Sequence, residues 1–337
     1  MSKSKATTAP VKPKLDPNDV RLFSGRSHPG LAAEIGRHLE IPLEETHFSR
    51  FSNDNLFVQL GASVRGRIVY IVQSLVPPVS DHLLELLMML NIARSAAARE
   101  VHAIIPYFSY ARSDKKNAPR IAITARLIAD LLQTAGATHI MTMTLHSPQV
   151  HGFFSVPTDP LTARGLFVAH FRRYAYSPAD TVVVAPDYGR ASSAARFGNQ
   201  LGLAAISAEK TRLTDTEVYI SNLITRQTKG FKRAIVYDDE IATGGSIVEL
   251  SRLLIKSKIE EIIVVCTHGL FIGKALQRLC EIPRITQIVT TDTVPIPLEN
   301  RPPHLTVLSV GPIFAEAIRR NYVRQSIGEL FAFGDLT

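Results

Sequence analysis

The chain has 337 residues, 45% of them hydrophobic and 20% charged, with a formal net charge of +8. That length suits two domains of ordinary size, and the balance is that of a folded protein rather than a disordered one. No uninterrupted apolar run of about 18 residues is present, which argues against a membrane-spanning helix. The lysine-bearing N-terminus has no apolar core behind it, so no secretory signal is expected. No basic run is interleaved with aromatics, so no nucleic-acid partner is expected, and the modest positive excess suits small polyanionic substrates. Cys266 and Cys280 form neither a metal spacing nor a disulfide framework, which fits a reducing, cytoplasmic setting.

Residues 1–18 mix Lys, Ser, Thr, Ala and Pro and read as a disordered tail. Strands are predicted at 20–24, 67–73, 102–107 and 139–145, and helices at 31–39, 81–98 and 123–134. The pattern then restarts, with helices at 162–174, 191–201 and 273–279 and strands at 181–185, 204–207, 234–237, 261–267, 287–291 and 304–309. A closing helix covers 311–320 and could pack on either half. Strands alternating with helices of about a dozen residues predict an α/β fold of two doubly wound parallel-sheet domains. The expected division is an N-terminal domain over 19–160, a C-terminal domain over 161–307 and a closing segment over 308–337. The two halves share an element order more than a sequence, so an internal duplication is read from the element order alone.

The chemistry is expected at the strand ends. After the strand at 234–237 come Asp238 and Asp239, then Thr243, Gly244, Gly245 and Ser246, then a helical pattern. A strand entering a hydroxyl- and glycine-rich turn before a helix N-terminus is a phosphate cradle, because turn N–H groups and the helix dipole both face the anion. The two acids suit hydroxyls of the same ligand; the plainer alternative is a tight turn with solvated acids. Arg112, Lys115, Lys116 and Arg120 crowd one loop after a strand and suit a polyphosphate, unless the loop is merely solvated. His146 follows a strand directly, as a metal or phosphate contact or as a structural histidine. Asp187 ends another strand and suits magnesium or sugar contacts, or simply caps the next helix. Lys210 and Arg212, two apart in an extended stretch, point the same way and suit a developing pentacoordinate phosphorus.

Taken together, the chain resembles the ribose-phosphate pyrophosphokinase family over about 21–333. The resemblance rests on Arg50, Phe51, Ser52 and Asn53; on Tyr110, Ala111, Arg112, Asp114, Lys115 and Lys116; and on Leu145, His146, Gln149, Gly152, Phe153 and Phe154. It rests also on Pro186 with Asp187, Lys210 with Arg212, Asp238 with Asp239, and Ser309 to Pro312. The resemblance implies two domains of the phosphoribosyltransferase type and a Mg2+-dependent transfer of the terminal diphosphoryl group of ATP to the 1-hydroxyl of ribose 5-phosphate. By the same resemblance, Thr243, Gly244, Gly245 and Ser246 hold the 5-phosphate and Asp238 and Asp239 take the ribose hydroxyls. Arg112, Asp114, Asn53 and His146 meet ATP, and Phe51 stacks on adenine from a neighbouring subunit of a homo-oligomer. Lys210 and Arg212 serve the transition state, and His146, Asp187 and Asp159 are the metal candidates.

The departures from the family pattern are Ala242, Thr144 and Ser155 where acids are common, Asn55 and Ser113 in ATP-side segments, and Ile121-Ala122 in place of a residue-proline pair. They resemble the plant-type branch, which is relaxed for the nucleotide donor. The competing readings are a non-catalytic regulatory homologue and a phosphoribosyltransferase acting on a base. The latter needs only one doubly wound domain and leaves the N-terminal half unexplained.

Overall fold

The computed structural model describes residues 13–208, 210–212, 218–220 and 223–331, with backbone alone at 210–212 and 218–220. The first set of elements is β1 (Val20–Ser24), α1 (Pro29–Leu39), β2 (Leu43–Glu44), β3 (Thr46–Arg50), β4 (Leu56–Leu60), β5 (Ile68–Val72), α2 (Val79–Ser95), β6 (Glu100–Ile105), α3 (Thr124–Ala135), β7 (His139–Met143) and β8 (Thr158–Leu161). The second is α4 (Arg164–Phe171), β9 (Thr181–Ala185), α5 (Ala191–Leu201), β10 (Ala204–Ser207), β11 (Lys210–Arg212), β12 (Val218–Ile220), α6 (Leu223–Gln227), β13 (Arg233–Ile241), α7 (Gly245–Lys256), β14 (Glu261–Gly269), α8 (Ala275–Cys280), β15 (Ile285–Thr291), β16 (Leu305–Leu308) and α9 (Gly311–Tyr322).

Each set builds a six-stranded sheet, ordered β2-β1-β5-β6-β7-β8 in the first and β10-β9-β13-β14-β15-β16 in the second. Every pairing in both is parallel, so the two doubly wound α/β domains expected from the alternation are present. Numbered by appearance, both sheets run 2-1-3-4-5-6. In both, an antiparallel hairpin (β3–β4 or β11–β12) is inserted between the second and third strands. The duplication that element order hinted at is therefore carried by topology. Strands such as β5 and β9 are buried at every position, as helices covering both faces of a parallel sheet require.

Among the described residues, three large buried clusters hold this arrangement. One lies between β5, β6 and the helices α2 and α3, and one between β13, β14 and α7 with α8. The third is shared, joining Leu22, Tyr70 and Val72 of the first sheet to Ile235, Tyr237 and Val265 of the second through Phe167, Phe197 and Phe314. Each such aromatic contributes about 1.5–3 kcal/mol when fully buried, so the two sheets form one unit rather than a loose hinge. Helix α9 packs on α1, where Arg319 donates to the carbonyl of His38 at 2.7 Å and Ser309 to Glu34 at 2.7 Å.

Several boundaries differ from expectation. Leu161, put in the C-terminal domain by a division at 160, still belongs to the last strand of the first sheet. Leu15, expected in a disordered tail, is 4% exposed and sits in the shared core, because an apolar side chain beside that interface is worth more buried than solvated. Residues 1–12 of that tail lie outside the described residues. Strand β13 does not stop before the acids but runs through Asp238, Asp239 and Glu240 to Ile241, paired with β14 as far as Gly269.

The carboxyl ends of the two sheets face each other. At the meeting point Thr144 has φ of 43°, a genuine outlier for a β-branched residue. His268, on β14, holds it there, since Nε2 donates to the carbonyls of Met143 and Thr144 at 3.1 Å each and Nδ1 accepts from Thr293 at 2.8 Å. Burial lowers the His268 pKa from 6.5 to about 4, so the neutral ring is the folded form. Its stabilising contribution is fully present above about pH 6.5 and is lost as pH falls through about 4. In denaturant unfolding, the stability gap between the wild type and His268→Gln is expected to shrink steadily over that window. A gap independent of pH would remove His268 from this role.

Candidate active site

Strand β13 delivers three consecutive acids, and the turn after it delivers a phosphate-sized concavity. Gly244, at the N-terminus of α7, has φ of 75° and ψ of 0°, a left-handed conformation that glycine adopts without a Cβ penalty. No acidic residue occupies the first turn of α7 and no side chain among the described residues caps it, so its N–H groups are available to an anion. The turn is braced from behind: Arg278 donates to the carbonyl of Thr243 at 2.6 Å, Ile272 N to Ala242 at 2.9 Å and Phe271 N to Ile241 at 3.1 Å.

The same cavity, of about 580 Å3, is lined by Asp187, Asp238, Asp239, the turn from Ala242 to Ser246 and, from the other domain, Arg112, Lys115, Asn117 and His146. Loops from both domains thus converge where strands end, as ligand crevices in open α/β sheets do. Asp239 is the electrostatic centre. Its Oδ2 lies 2.7 Å from His146 Nδ1 and 3.4 Å from Arg190 Nη1. Burial alone would raise its pKa, but the His146 hydrogen bond and the Arg190 charge more than offset it, and the carboxyl lies below the usual range. Burial and the charge of Asp239 push Asp238 the other way, well above the usual range. The adjacent acids are therefore unequal, with the charge resting on Asp239.

Glu240, absent from the expected set, is a second link between domains. Arg112 Nη2 lies 3.2 Å from its Oε1, and the Tyr107 hydroxyl donates to its Oε2 at 3.3 Å. Burial raises its pKa against the opposing charge of Arg112. The run Asp238-Asp239-Glu240 was visible as sequence, but the early end assigned to β13 hid the third acid. Arg190, three residues after Asp187, carries no mark of its role in the sequence.

Not every expected site residue reaches the pocket. Asp159 sits on β8 opposite Met141, midway along β7, and its Oδ2 turns away from the pocket to lie 3.0 Å from Nε2 of His139 at the start of β7. Its carboxylate is engaged by His139 and does not line the pocket that His146 lines. His146 commits Nδ1 to Asp239, and Oδ1 of Asp187 accepts from Arg190 N at 3.2 Å, so the helix-capping role expected as an alternative for Asp187 is realised. Asp187 also faces the pocket. Asp114 and the exposed Ser155 are not among the lining residues. Phe51 and Asn53 stand at the tip of the β3–β4 hairpin, away from this pocket, with the Phe51 ring 58% exposed and packed edge-on against Phe57. Lys210 and Arg212 lie on β11, and their side chains are outside the described residues.

Replacing Gly244 by alanine would force a Cβ into the left-handed region, so a loss of about 1–2 kcal/mol in denaturant unfolding is expected. Unchanged stability would show that the turn does not need that conformation.

Comparison with known proteins agrees with this geometry. Residues 20–136 match the family model described as the N-terminal domain of ribose phosphate pyrophosphokinase, and residues 223–332 match the phosphoribosyl synthetase-associated domain. A Streptomyces coelicolor protein is 49% identical over 313 residues, covering 93% of this chain and 98% of its own length. Ribose-phosphate pyrophosphokinase of Deinococcus radiodurans is 42% identical, covering 92% of this chain and 97% of its own. The crystal structure of phosphoribosylpyrophosphate synthetase from Mycobacterium smegmatis superposes with a TM-score of 0.83 at 36% identity, covering 91% of this chain and 99% of that one. These three relatives are bacterial and lend no support to the plant-type branch. With its two sheets, its cross-domain pocket and these relatives, the chain belongs to the ribose-phosphate pyrophosphokinase family.

Proposed function

We propose that the protein transfers the terminal diphosphoryl group of ATP to the 1-hydroxyl of ribose 5-phosphate, giving 5-phosphoribosyl 1-pyrophosphate and AMP. The observation that carries this reading is the two-sided pocket, with a phosphate turn and acids on one domain and Arg112 and His146 on the other. A base-directed phosphoribosyltransferase would need only the first wall. The Thr243–Ser246 turn anchors the 5-phosphate, and Asp239, ionised and held from two sides, orients the ribose hydroxyls alongside Asp238. Arg112 and His146 take the phosphates of ATP. The sugar oxygen attacks the β-phosphorus, the bond from that phosphorus to the bridging oxygen breaks with its electron pair leaving on AMP, and the hydroxyl proton passes to solvent water as the new bond forms. Lys210 and Arg212 are proposed to meet the charge of the transition state. Positioning and electrostatics suffice for such a transfer, and no covalent enzyme intermediate is required.

Magnesium is part of the proposal. Among the described residues no group of three or more His, Cys, Asp or Glu side chains could hold a metal ion, while Asp187 offers carboxylate oxygen at the pocket wall. That donor set fits an ion held by one carboxylate and mainly by substrate phosphates. When bound, the ion neutralises triphosphate charge. His146 offers nitrogen, a poor partner for so hard a cation, and is assigned to phosphate instead. The exposed Phe51, remote from its own chain's pocket, supports adenine being met by a neighbouring copy in a homo-oligomer. No described helix is long and apolar enough to cross a membrane. A cytoplasmic location remains part of the reading, supported by unpaired cysteines.

Incubation with ribose 5-phosphate and magnesium, without a base, tests the reaction when ATP, GTP, CTP and UTP are supplied in turn. AMP and phosphoribosyl pyrophosphate are expected with ATP, and turnover of other donors would support relaxed donor choice; no AMP under any magnesium or phosphate condition would defeat the assignment. Lys210→Ala is expected to lower turnover by roughly 10²–10³, as loss of one transition-state donor does. A rate near wild type would take Lys210 out of that role.

A further inference from the structure

Arg190 stands between the main pocket and a smaller cavity of about 160 Å3, and together with Asp238 and Asp239 it borders both. It follows the 3-10 turn start at Tyr188, where its own N–H is tied to Asp187 Oδ1 at 3.2 Å. Its guanidinium spans the two domains: Nη2 donates to the carbonyl of His146, in the first-domain loop after β7, while Nη1 lies 3.4 Å from Asp239 Oδ2 on β13. Only 12% of the side chain is exposed, so neither contact is a solvated surface pair.

His146 is thereby gripped twice from the second domain, by Asp239 on its ring and by Arg190 on its backbone. The segment before it is gripped as well. The carbonyls of Met143 and Thr144 both accept from His268, again across the domain boundary. Three of the four carbonyls from 143 to 146 therefore take second-domain donors, and the strained Thr144 lies inside that span. Strain of this kind persists only where surrounding contacts over-determine the backbone. His268 is buried behind the pocket, whereas Arg190 is the donor that reaches the loop beside the substrate walls.

We propose that Arg190 is a positioning residue, a cross-domain clamp that keeps the His146 loop of the ATP side in register with Asp239 of the ribose side. This rests on the diphosphoryl-transfer reading for its effect on turnover, though not for the clamp itself. A planar guanidinium can serve a carbonyl and a carboxylate in fixed directions, which a compact lysine ammonium cannot reproduce. A misplacement of about 1 Å between reacting groups can cost around a hundredfold in rate, so a clamp between donor and acceptor walls should act on turnover rather than on binding of either substrate alone.

The test compares wild type with Arg190→Ala, Arg190→Gln and Arg190→Lys in turnover, in binding of ribose 5-phosphate alone by calorimetry, and in amide hydrogen exchange over residues 143–147. For Arg190→Ala the expected result is a turnover loss of about 10–100-fold, binding of ribose 5-phosphate within about threefold of wild type, faster exchange at 143–147, and partial recovery of turnover on adding guanidinium ion. Arg190→Lys should recover less than guanidinium does. Turnover within about twofold of wild type, or a parallel loss of ribose 5-phosphate binding, would overturn the positioning role. Should Arg190→Ala fail to fold, Arg190→Gln is judged by the same criteria. A wild type that forms no AMP overturns the reaction assigned above, and the exchange measurement then decides the clamp by itself: unchanged exchange at 143–147 refutes it.

Discussion

Everything in the pocket depends on one apolar constraint, the core that the two parallel sheets bury in common. Leu22, Tyr70 and Val72 face Ile235, Tyr237 and Val265 through a layer containing Phe167, Phe197 and Phe314. Several fully buried aromatics at about 1.5–3 kcal/mol each outweigh exposed ion pairs worth about 1 kcal/mol or less. The sheets are therefore fixed with their carboxyl ends opposed, and a loop from either side can rely on the other being where it is. A pocket with a phosphate turn on one wall and basic loop residues on the other becomes possible only under that condition.

Within this frame the polar contacts decide chemistry rather than stability. Asp239 is buried, and a lone carboxylate there would take up a proton. His146 and Arg190 prevent it, while the neighbouring Asp238, lacking comparable help, is pushed towards its neutral form. Two acids adjacent in sequence thus acquire different protonation because the first domain supplies a ring to one of them. Glu240 repeats the theme one residue on, engaging Arg112 and Tyr107. The acid run is best described as an interdomain seam that also lines a ligand site.

Much of the site was legible in the chain. The glycine-hydroxyl turn, the acids before it, Arg112 and His146 each sat at predicted strand ends, and each does reach the one pocket. Asp159 looked equivalent by composition but turns away from the pocket, where His139 receives it. A carboxylate near a histidine in sequence carries no information about which way it turns from its strand. Glu240 escaped because the predicted strand ends before the acids, and Arg190 because its partners His146 and Asp239 are dozens of residues away in the chain.

What the sequence by itself determined is what short-range physics controls. Apolar runs set the strands, helical periodicity set the covering helices, and glycine with hydroxyls set the turn that can take φ of 75° at Gly244. Only the tertiary structure decided that Leu15 belongs to a core, that β13 continues through its acids, and that Asp239 rather than Asp238 carries the charge. The reason is one of range. Backbone propensity is a property of neighbours along the chain, whereas burial and charge pairing depend on what another domain brings to within a few ångströms.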